Sequence, residues 1–324
     1  MKKTYRCVLS GIAVFLCSMF LFLQIHKMIE TDYSLRQNEH RLKFGAVYMT
    51  LNNPFYEVVD EEIRAVVENH GDLLLTRDPA LNMERQMDEI EELLHSGIEV
   101  LFLNAVDWKE IGPALTMAKQ AGVPVVVIDT NVEDDTLVAC TVVSDNYMAG
   151  VECAQHLVSH SAGGNIVLLL HSEAKSAVDR IQGFQDTIAK YPAFQIIDSA
   201  ECKGQLELAM PVMEELLQKH EKIDIVMSLN DPAAMGAMAA LKNAGKLKQV
   251  MVYGVDGAPE TKDMIVQGHM TATAAQSPRL IGRLAAAKAY EILAGANKER
   301  LIKLPTRLLT KENVASEILE GWDG

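Results

Sequence analysis

Cysteine and aromatic residues are scarce in this sequence. The 324 residues include 5 cysteines, and Phe, Trp and Tyr together make up 6% of the chain. Cys7 and Cys17 lie in an apolar N-terminal run, which leaves Cys140, Cys153 and Cys202 in the remainder. An odd number of cysteines cannot pair completely, and a chain that is 49% hydrophobic can build a core without disulfides. We therefore expect these three side chains to be small buried hydrophobes.

Positive charge is scarce as well. Lys and Arg number 30 against 44 Asp and Glu, so the formal net charge is −14. Lys2, Lys3 and Arg6 precede the first acidic residue, Glu30, so the rest of the chain has 27 basic and 44 acidic residues and a net charge of −17. An acidic surface of this kind repels nucleic acid and anionic lipid. The composition therefore predicts no nucleic-acid partner.

Motifs of the common enzyme classes are missing. The sequence contains no GxSxG, Walker, CxxC or HExxH motif, and its SAGGN segment lacks the GxGxxG spacing. Glu152, His156 and His160 are spaced at i, i+4 and i+8, which could hold zinc, although a solvated helix face explains the same spacing. No nucleophile is matched with a base. These absences predict a binding protein without cofactor or metal rather than an enzyme.

The N-terminus carries a long uncharged run. Cys7–Ile25 has 19 residues without charge, close to the ~20 residues of a membrane-spanning helix and longer than the ~7–15 of a signal-peptide core. Its basic flank predicts a single-pass anchor over residues 1–26 with the body outside the cytoplasm. A cleaved signal and lipidation at Cys17 remain alternatives, the second disfavoured by Leu16. Residues 27–41 are polar and predict a stalk.

From residue 43 onward, short apolar segments alternate with amphipathic ones. The predicted strands are Phe44–Met49, Asp72–Thr76, Val100–Leu103, Val123–Ile128, Leu137–Val143, Asn165–Leu170, Gln195–Ser199, Ile223–Ser228, Val250–Tyr253 and Thr271–Ala275. The predicted helices are Pro54–Asn69, Met83–His95, Trp108–Gln120, Asn146–His160, Ala174–Lys190, Gln205–His220, Pro232–Asn243, Pro259–Val266 and Pro278–Leu293. Apolar strands separated by such helices favour parallel sheets covered on both faces. Because the strands are too many for one ordinary sheet, we expect an α/β fold with two Rossmann-like, doubly wound lobes.

Polar side chains follow the ends of these strands, where doubly wound sheets bind ligands. The set is rich in amides and carboxylates and includes one arginine: Asn53, Asn104, Asp107, Asp129, Thr130, Asp145, Asn146, Glu173, Arg180, Asn230, Asp231, Asp256 and Gln276. These groups suit a polyhydroxylated neutral ligand, because each hydroxyl both donates and accepts. The segment LNNPFY adds Phe55 and Tyr56, whose rings can pack on the C–H face of a sugar.

Each of these residues also has an explanation that needs no ligand. Asn53, Asp145 and Asp231 precede predicted helices and can be caps, each stabilising by ~0.5–2 kcal/mol. The two rings can be core, and Arg180 can lie on a helix surface. It is their joint occurrence at strand ends that favours a binding site.

Seven segments occur in the order and spacing of a known family: AVYMTLNNPFY, VPVVVIDT, VSDNYMAG, RIQGF, MSLNDPAAMGAMAALKNAG, VYGVDGAPE and TATAAQSP. Over about residues 42–310 the chain resembles ribose-binding proteins, which belong to the type I periplasmic binding proteins. The resemblance implies two lobes joined by a three-segment hinge that closes on a monosaccharide. It places one lobe at 42–143 plus 277–304 and the other at 144–276 plus 305–324.

The resemblance also implies eight ligand contacts: Asn53, Phe55, Tyr56 and Asp129 in the first lobe, Arg180, Asn230 and Asp256 in the second, and Gln276 at the hinge. Thr130, next to Asp129, completes a predicted set of nine. The family pattern has arginine where this chain has Thr130, and aromatic residues where it has Val255 and, in a loose alignment, Cys202. With one charged donor and up to two stacking surfaces replaced, we expect a sugar or polyol other than ribose.

Two kinds of membrane partner are compatible with such a protein. The closed form could deliver its ligand to the permease of an ABC importer, or it could contact a sensor kinase or chemoreceptor. An uncleaved anchor slightly favours signalling, since a transport component benefits from free movement. A sugar-responsive transcriptional regulator uses the same core, but it needs an N-terminal DNA-binding domain and a cytoplasmic location. The anchor and the acidic body disfavour that alternative.

Overall fold

The computed structural model describes residues 18–27, 41–316 and 321–322. The chain divides into two compact units, Met1–Leu42 and Lys43–Gly324. In the first unit, residues 18–27 are helical. No helix in the described part of the chain is long and apolar enough to cross a membrane.

The predicted anchor and stalk therefore fall mainly where the structure gives no description. Residues 7–17 of the uncharged run and residues 28–40 of the stalk lie outside the described residues. Both assignments stay predictions.

The second unit contains two sheets of six strands each. The first sheet is formed by β1 (Lys43–Val47), β2 (Leu73–Arg77), β3 (Val100–Leu103), β4 (Val125–Ile128), β5 (Cys140–Ser144) and β11 (Leu301–Leu304). Their order is β11-β5-β4-β3-β1-β2, and all neighbours are parallel. We call this sheet and its helices the first lobe.

The second sheet repeats the arrangement. Its strands are β6 (Gly164–Leu170), β7 (Phe194–Glu201), β8 (Ile225–Ser228), β9 (Met251–Asp256), β10 (Ala272–Ala275) and β12 (Arg307–Thr310). The order is β12-β10-β9-β8-β6-β7, with β12 antiparallel to β10 at the edge. This sheet and its helices form the second lobe. The predicted α/β architecture of two parallel-sheet lobes is confirmed.

Helices connect the strands of both sheets. They are α1 (Pro54–Asn69), α2 (Met83–His95), α3 (Gly112–Gln120), α4 (Asn146–His160), α5 (Lys175–Ile188), α6 (Leu206–Lys219), α7 (Asp231–Asn243), α8 (Pro259–Val266) and α9 (Pro278–Leu293). Polar caps, and in some helices a proline in the first turn, fix where the helices begin. The side chains of Asn53, Asp145 and Asn230 each accept from a backbone N–H group in the first turn of the helix that follows. The predicted helix from Trp108 begins four residues late, because residues 108–111 form a turn before Pro113.

Each sheet has its own hydrophobic core. In the first lobe Leu101 of β3 packs with Leu93 of α2, and in the second lobe Leu168 of β6 packs with Phe184 of α5. Cys140, Cys153 and Cys202 are all buried and free within the described part of the chain, which confirms their expected role as small hydrophobes.

The chain passes between the sheets three times. The crossings lie between β5 and β6, between β10 and β11, and between β11 and β12. After the first crossing α4 packs on β9, β10 and β12 of the second sheet, and after the second α9 packs on α1, β4 and β5 of the first. This connectivity is the one that a three-segment hinge requires, while the residue boundaries of the lobes stay a prediction.

Candidate ligand-binding site

Most of the predicted contact residues meet in one cavity at the carboxyl ends of both sheets. Asp129 directly follows β4, Asp256 ends β9, and Arg180 lies on α5. The lining includes seven of the nine predicted residues: Asn53, Phe55, Tyr56, Asp129, Arg180, Asn230 and Asp256. The enclosed volume is about 20 Å³, which is about the space of one water molecule.

Thr130 and Gln276, the other two predicted residues, support the cavity from behind. Thr130 Oγ1 accepts from the backbone N–H of Ser176 at 3.0 Å, and Gln276 Nε2 donates to Asp256 Oδ1 at 2.8 Å. Both side chains are buried. They position lining residues, although the structure does not place them on the cavity surface.

Arg180 lies between two buried carboxylates. Its Nη2 is 3.8 Å from Asp129 Oδ1, its Nη1 is 3.6 Å from Asp256 Oδ1, and all three residues are at most 4% exposed. Nε donates to Asn146 Oδ1 at 2.8 Å and Nη1 donates to Leu229 O at 3.0 Å. The interpretation of Arg180 as a surface residue is therefore wrong. Its fork is fixed by Asn146 and Leu229 and lies beyond hydrogen-bond distance of both carboxylates.

Each of these carboxylates keeps one oxygen unsatisfied. The Tyr56 hydroxyl donates a hydrogen bond to Asp129 Oδ2 at 3.1 Å, and Gln276 Nε2 donates one to Asp256 Oδ1. Asp129 Oδ1 and Asp256 Oδ2 are buried without a hydrogen-bond partner among the described residues. Since a buried acceptor without a donor costs about 1–3 kcal/mol, both oxygens favour a ligand that brings O–H donors.

Burial is the largest influence on the pKa values of Asp129 and Asp256. It raises the pKa of Asp256 to about 8, with Arg180 opposing the shift and Asp231 and Asp129 adding to it. Burial also raises the pKa of Asp129, against the lowering effects of Arg180 and Tyr56. One guanidinium therefore does not offset the desolvation of both carboxylates, and donors from a ligand would favour their ionised forms.

Both carboxylates lie on residues with positive φ, +63° for Asp129 and +142° for Asp256. Backbone of this kind is strained in L-residues and requires support from its surroundings. Asp231, which is fully buried, supplies that support after β9. Its Oδ2 accepts from the N–H groups of Gly257 and Ala258, each at 2.9 Å.

Asp231 is therefore not the helix cap that the sequence suggested. The side chain of Asn230 caps α7 by accepting from the backbone N–H of Ala233 at 3.0 Å. Asp231 instead also accepts from the hydroxyls of Thr261 at 2.6 Å and Thr273 at 2.7 Å. Four donors thus converge on one carboxylate, which ties the loop after Asp256 to α7.

The segment that follows β1 forms the aromatic wall of the cavity. The rings of Phe55 and Tyr56 are perpendicular, with centroids 5.5 Å apart and an interplanar angle of 89°. Asn53 accepts from the backbone N–H of Phe55 at 3.0 Å and so fixes the start of α1. The capping and core explanations of these residues are correct, and the same three residues also line the cavity.

The family assignment follows from comparison with known proteins. The family model described as a periplasmic binding protein domain matches residues 44–297. This chain is a periplasmic binding protein. Its relatives place it in the type I, ribose-binding-protein-like group.

The relatives cover most of this binding protein. The ribose import binding protein RbsB of Bacillus subtilis (strain 168) is 31% identical over 280 residues, which is 85% of this chain and 89% of that protein. A solved ABC transporter solute-binding protein from Mycobacterium smegmatis, with bound glycerol, is 31% identical at a TM-score of 0.81, over 85% of this chain and 96% of that one. The arabinose ABC transporter binding component from Shewanella sp. ANA-3, bound to alpha and beta-L-arabinofuranose, is 27% identical at a TM-score of 0.79, over 85% and 93%. These relatives are binding proteins, and this periplasmic binding protein is not an enzyme.

Sequence reasoning missed part of the second-lobe lining of this binding protein. Four polar lining residues of this lobe were not named: Ser176 on α5, and His171, Lys203 and Gln205, which follow the ends of β6 and β7. Cys202, matched loosely to a pocket aromatic, is not a lining residue and lies against Leu170 O with its Sγ at 3.6 Å. The rule that ligands bind after strand ends could have identified the missed residues, because the predicted strand Asn165–Leu170 ends directly before His171.

Other residues at predicted strand ends act behind the lining. Asn104 Nδ2 donates to Ile128 O at 3.3 Å and to Asp129 Oδ2 at 3.4 Å, while its Oδ1 accepts from Met49 N at 3.0 Å. Asn146 orients Arg180. Neither residue lines the cavity, and both hold residues that do.

The helical set of Glu152, His156 and His160 is engaged in other contacts. Glu152 accepts from the hydroxyl of Thr306 at 3.1 Å, and His156 Nδ1 lies 2.9 Å from the hydroxyl of Tyr253. The two imidazoles stack at 3.9 Å. Within the described ranges, no group of three His, Cys, Asp or Glu residues is arranged to hold a metal ion.

Proposed function

We propose that this binding protein closes its two lobes around a monosaccharide or related polyol and presents it to the permease of an ABC importer. The observation that carries the proposal concerns two buried carboxylate oxygens, Asp129 Oδ1 and Asp256 Oδ2. Both lack a hydrogen bond among the described residues, and their carboxylates lie on either side of Arg180. Hydroxyls are the ligand groups that can donate to both oxygens and accept from the guanidinium. The named ligands of the relatives support this class, since they include ribose, L-arabinofuranose and glycerol.

The residues that line the cavity contact a ligand in different ways. Asp129 and Asp256 accept from ligand hydroxyls, and Arg180 donates to ligand oxygens. Phe55 and Tyr56 offer apolar ring surface to the C–H face of the ligand. Asn230 contributes less directly, because its Oδ1 caps α7 and its Nδ2 donates to Gly204 O at 3.0 Å.

Ligand entry requires the lobes to separate. A cavity of about 20 Å³ cannot contain a sugar ring. Contacts across its rim hold the two lobes together: Asn52 Nδ2 donates to Gln205 Oε1 at 2.7 Å, and Trp108 Nε1 donates to Ser172 O at 3.2 Å. We infer a hinge motion in which these contacts break for entry and re-form around the ligand.

The N-terminal uncharged run would tether the protein to the membrane with its body outside the cytoplasm. A tether supports a second kind of partner, a sensor kinase or chemoreceptor, as well as a permease. Fractionation of cells that express the full chain tests the tether: we expect the protein in the membrane fraction and its release by detergent, and recovery in the soluble fraction would contradict it. Crosslinking in the same cells identifies the partner.

Thermal unfolding of the full chain in mild detergent tests the binding function. The panel is D-ribose, L-arabinose, D-allose, D-apiose, myo-inositol and glycerol. A ligand at a hundredfold excess over its dissociation constant stabilises the folded state by ~2.7 kcal/mol, so we expect a clear rise in the unfolding midpoint with at least one of them. Trimethylamine N-oxide, an osmolyte without hydroxyl groups, controls for general stabilisation by a cosolvent. Midpoints that stay unchanged across the panel would overturn the sugar-binding proposal.

A further inference from the structure

The second lobe contributes a polar wall that the proposed function does not yet use. His171 directly follows β6, and Lys203 and Gln205 follow β7. All three line the cavity opposite the residues of the first lobe, and we call them the polar end wall. Gln205 is already engaged with Asn52 across the rim at 2.7 Å.

Lys203 is neutralised by its neighbour. Its Nζ lies 2.9 Å from Glu173 Oε2, and both side chains are about two-fifths exposed. This pair gives the polar end wall no net charge. A carboxylate or ammonium group on the ligand would therefore find no opposite charge there, and an uncharged group is favoured.

His171 has a buried ring nitrogen without a partner. The residue is 3% exposed, and its Nε2 makes no hydrogen bond within the described residues. The nearest carboxylate oxygen, Glu173 Oε2, is 3.7 Å away, beyond hydrogen-bond distance. An unsatisfied buried polar atom is uncommon in folded proteins. Its position in a ligand cavity indicates that the partner comes from the ligand.

The protonation state of His171 restricts what that partner can be. Burial lowers the pKa of His171, and Lys203 lowers it further, against Glu173, Glu201 and Asp107, which raise it. The lowered pKa keeps the imidazole neutral at neutral pH. One nitrogen of a neutral imidazole donates or accepts a single hydrogen bond, and a hydroxyl can match either tautomer.

We propose that His171 is a specificity-determining residue, whose Nε2 forms a hydrogen bond with one hydroxyl of the bound polyol. This inference rests on the proposed function. His171 Nε2, Asp129 Oδ1 and Asp256 Oδ2 are three buried atoms that each need a hydrogen-bond partner of their own. The hydroxyl that contacts His171 is therefore a different one from those that donate to the two carboxylates. The ligand must therefore present at least three hydroxyls to separate walls of the cavity.

A double-mutant cycle between protein and ligand tests the inference. The probes are D-ribose, D-allose and myo-inositol, each with its monodeoxy analogues, titrated by calorimetry against the wild type and His171→Ala. We expect His171→Ala to bind the preferred parent sugar about tenfold more weakly. One deoxy analogue should be bound equally by both proteins, and the remaining analogues should show the same tenfold loss as the parent.

Two further variants separate recognition from folding. His171→Gln keeps a side-chain amide near Nε2 and should recover part of the lost affinity, and it replaces His171→Ala in the cycle if the latter does not fold. His95→Ala, at the exposed end of α2, is the matched histidine control and should bind like the wild type.

The outcomes distinguish the two proposals. If sugars bind but no analogue is insensitive to His171→Ala, then His171 does not read a single hydroxyl and this inference is overturned while the binding function stands. Binding of every probe by His171→Ala at the wild-type affinity would also overturn this inference alone. If the wild type binds only L-arabinose, D-apiose or glycerol from the thermal-unfolding panel, the same cycle is run with that compound and its monodeoxy analogues. If it binds no compound of the panel, both proposals are overturned.

Discussion

At the scale of single residues, Arg180 controls the charge balance of the cavity. We expect Arg180→Ala to weaken binding of the preferred sugar by about 2 kcal/mol or more, roughly 30-fold, because two buried carboxylates lose their shared cation and the ligand loses a charged donor. The unliganded protein should also be less stable by ~3–5 kcal/mol, the cost of removing one partner from a buried ion pair. Calorimetry and urea unfolding measure the two effects.

Two variants control for this result. Arg180→Lys keeps the positive charge but loses the planar guanidinium that donates to Asn146 and Leu229. We therefore expect it to lose a smaller part of the free energy of unfolding than Arg180→Ala does, while sugar binding remains clearly weakened. Lys222→Ala removes a mostly exposed ion pair with Asp224 and should change neither quantity by more than ~1 kcal/mol. Sugar binding by Arg180→Ala at the wild-type level would refute the assignment of the cavity.

Asp256 should make the unliganded protein less stable as the pH rises. Its pKa is raised to about 8 in the folded protein, compared with about 3.9 for an unperturbed aspartate. Between these values the folded state binds more protons than the unfolded state, so this residue's contribution falls with increasing pH, by up to ~1.4 kcal/mol per pH unit. We expect urea unfolding from pH 5 to 8 to show a steeper decline for the wild type than for Asp256→Asn. Parallel curves would contradict the raised pKa.

At the scale of elements, the loop after β9 depends on Asp231. Asp231→Asn replaces a carboxylate that accepts from four donors with an amide whose N–H group would face some of them. We expect the free energy of unfolding to fall by ~2–4 kcal/mol, since hydrogen bonds to a buried charge are lost. Sugar affinity should fall about tenfold, because Asp256 loses the support of its strained backbone.

The matched control is Asp145→Asn, which changes a half-exposed helix cap outside the cavity lining. Its amide still accepts a hydrogen bond, so its effect should stay below ~1 kcal/mol. If Asp231→Asn lowers stability and leaves affinity unchanged, Asp231 serves the core alone and does not position Asp256.

Elements with strong local signals can be predicted from the sequence. β3 is buried throughout and has its predicted bounds, as do α1 and α9, which begin with proline after a polar residue. β11 and β12 are absent from the predicted strands, because Leu301–Leu304 and Arg307–Thr310 lie at sheet edges with alternating or partial exposure. Their pairing with β5 and β10 depends on distant residues rather than on local pattern.

The candidate site, like the fold, can be predicted in part from the sequence. Residues inside recognisable segments, such as Asn53 and Arg180, belong to the predicted set and lie together. The assignment of Asp231 as a cap is wrong, because a polar residue ahead of a helix is indistinguishable from a cap until its partners are known. His171 is missing from the predicted set, since a single histidine after a strand has no spacing pattern. The rule that ligands bind after strand ends could have indicated it, whereas the family resemblance could not, because none of the matching segments includes it.

At the scale of the whole molecule, closure should control how long a ligand stays bound. Trp108 of the first lobe contacts the second without lining the cavity: its backbone N–H donates to Glu173 O at 3.1 Å, its Nε1 donates to Ser172 O, and Lys175 Nζ lies 5.5 Å from its ring. We expect Trp108→Ala to destabilise the closed form and to raise the dissociation rate of the sugar about tenfold, with little change in the association rate.

Release of radiolabelled sugar into excess unlabelled sugar measures this rate. Trp108→Phe keeps the aromatic ring and the backbone contact but removes the Nε1 donor, so its rate should lie between those of the wild type and Trp108→Ala. An association rate that falls while dissociation stays constant would show that Trp108 acts on the open form instead.

The three passages of the chain between the sheets also constrain the order in which the protein can be made. The first sheet lacks its edge strand β11 until Leu301–Leu304 has been synthesised, although the other strands of that sheet end at Ser144. The second sheet is completed only by β12, which follows two residues later. A nascent chain can therefore finish neither lobe until almost all of it has emerged. Until that point each sheet lacks an edge strand, and the strand beside it presents unpaired backbone N–H and C=O groups.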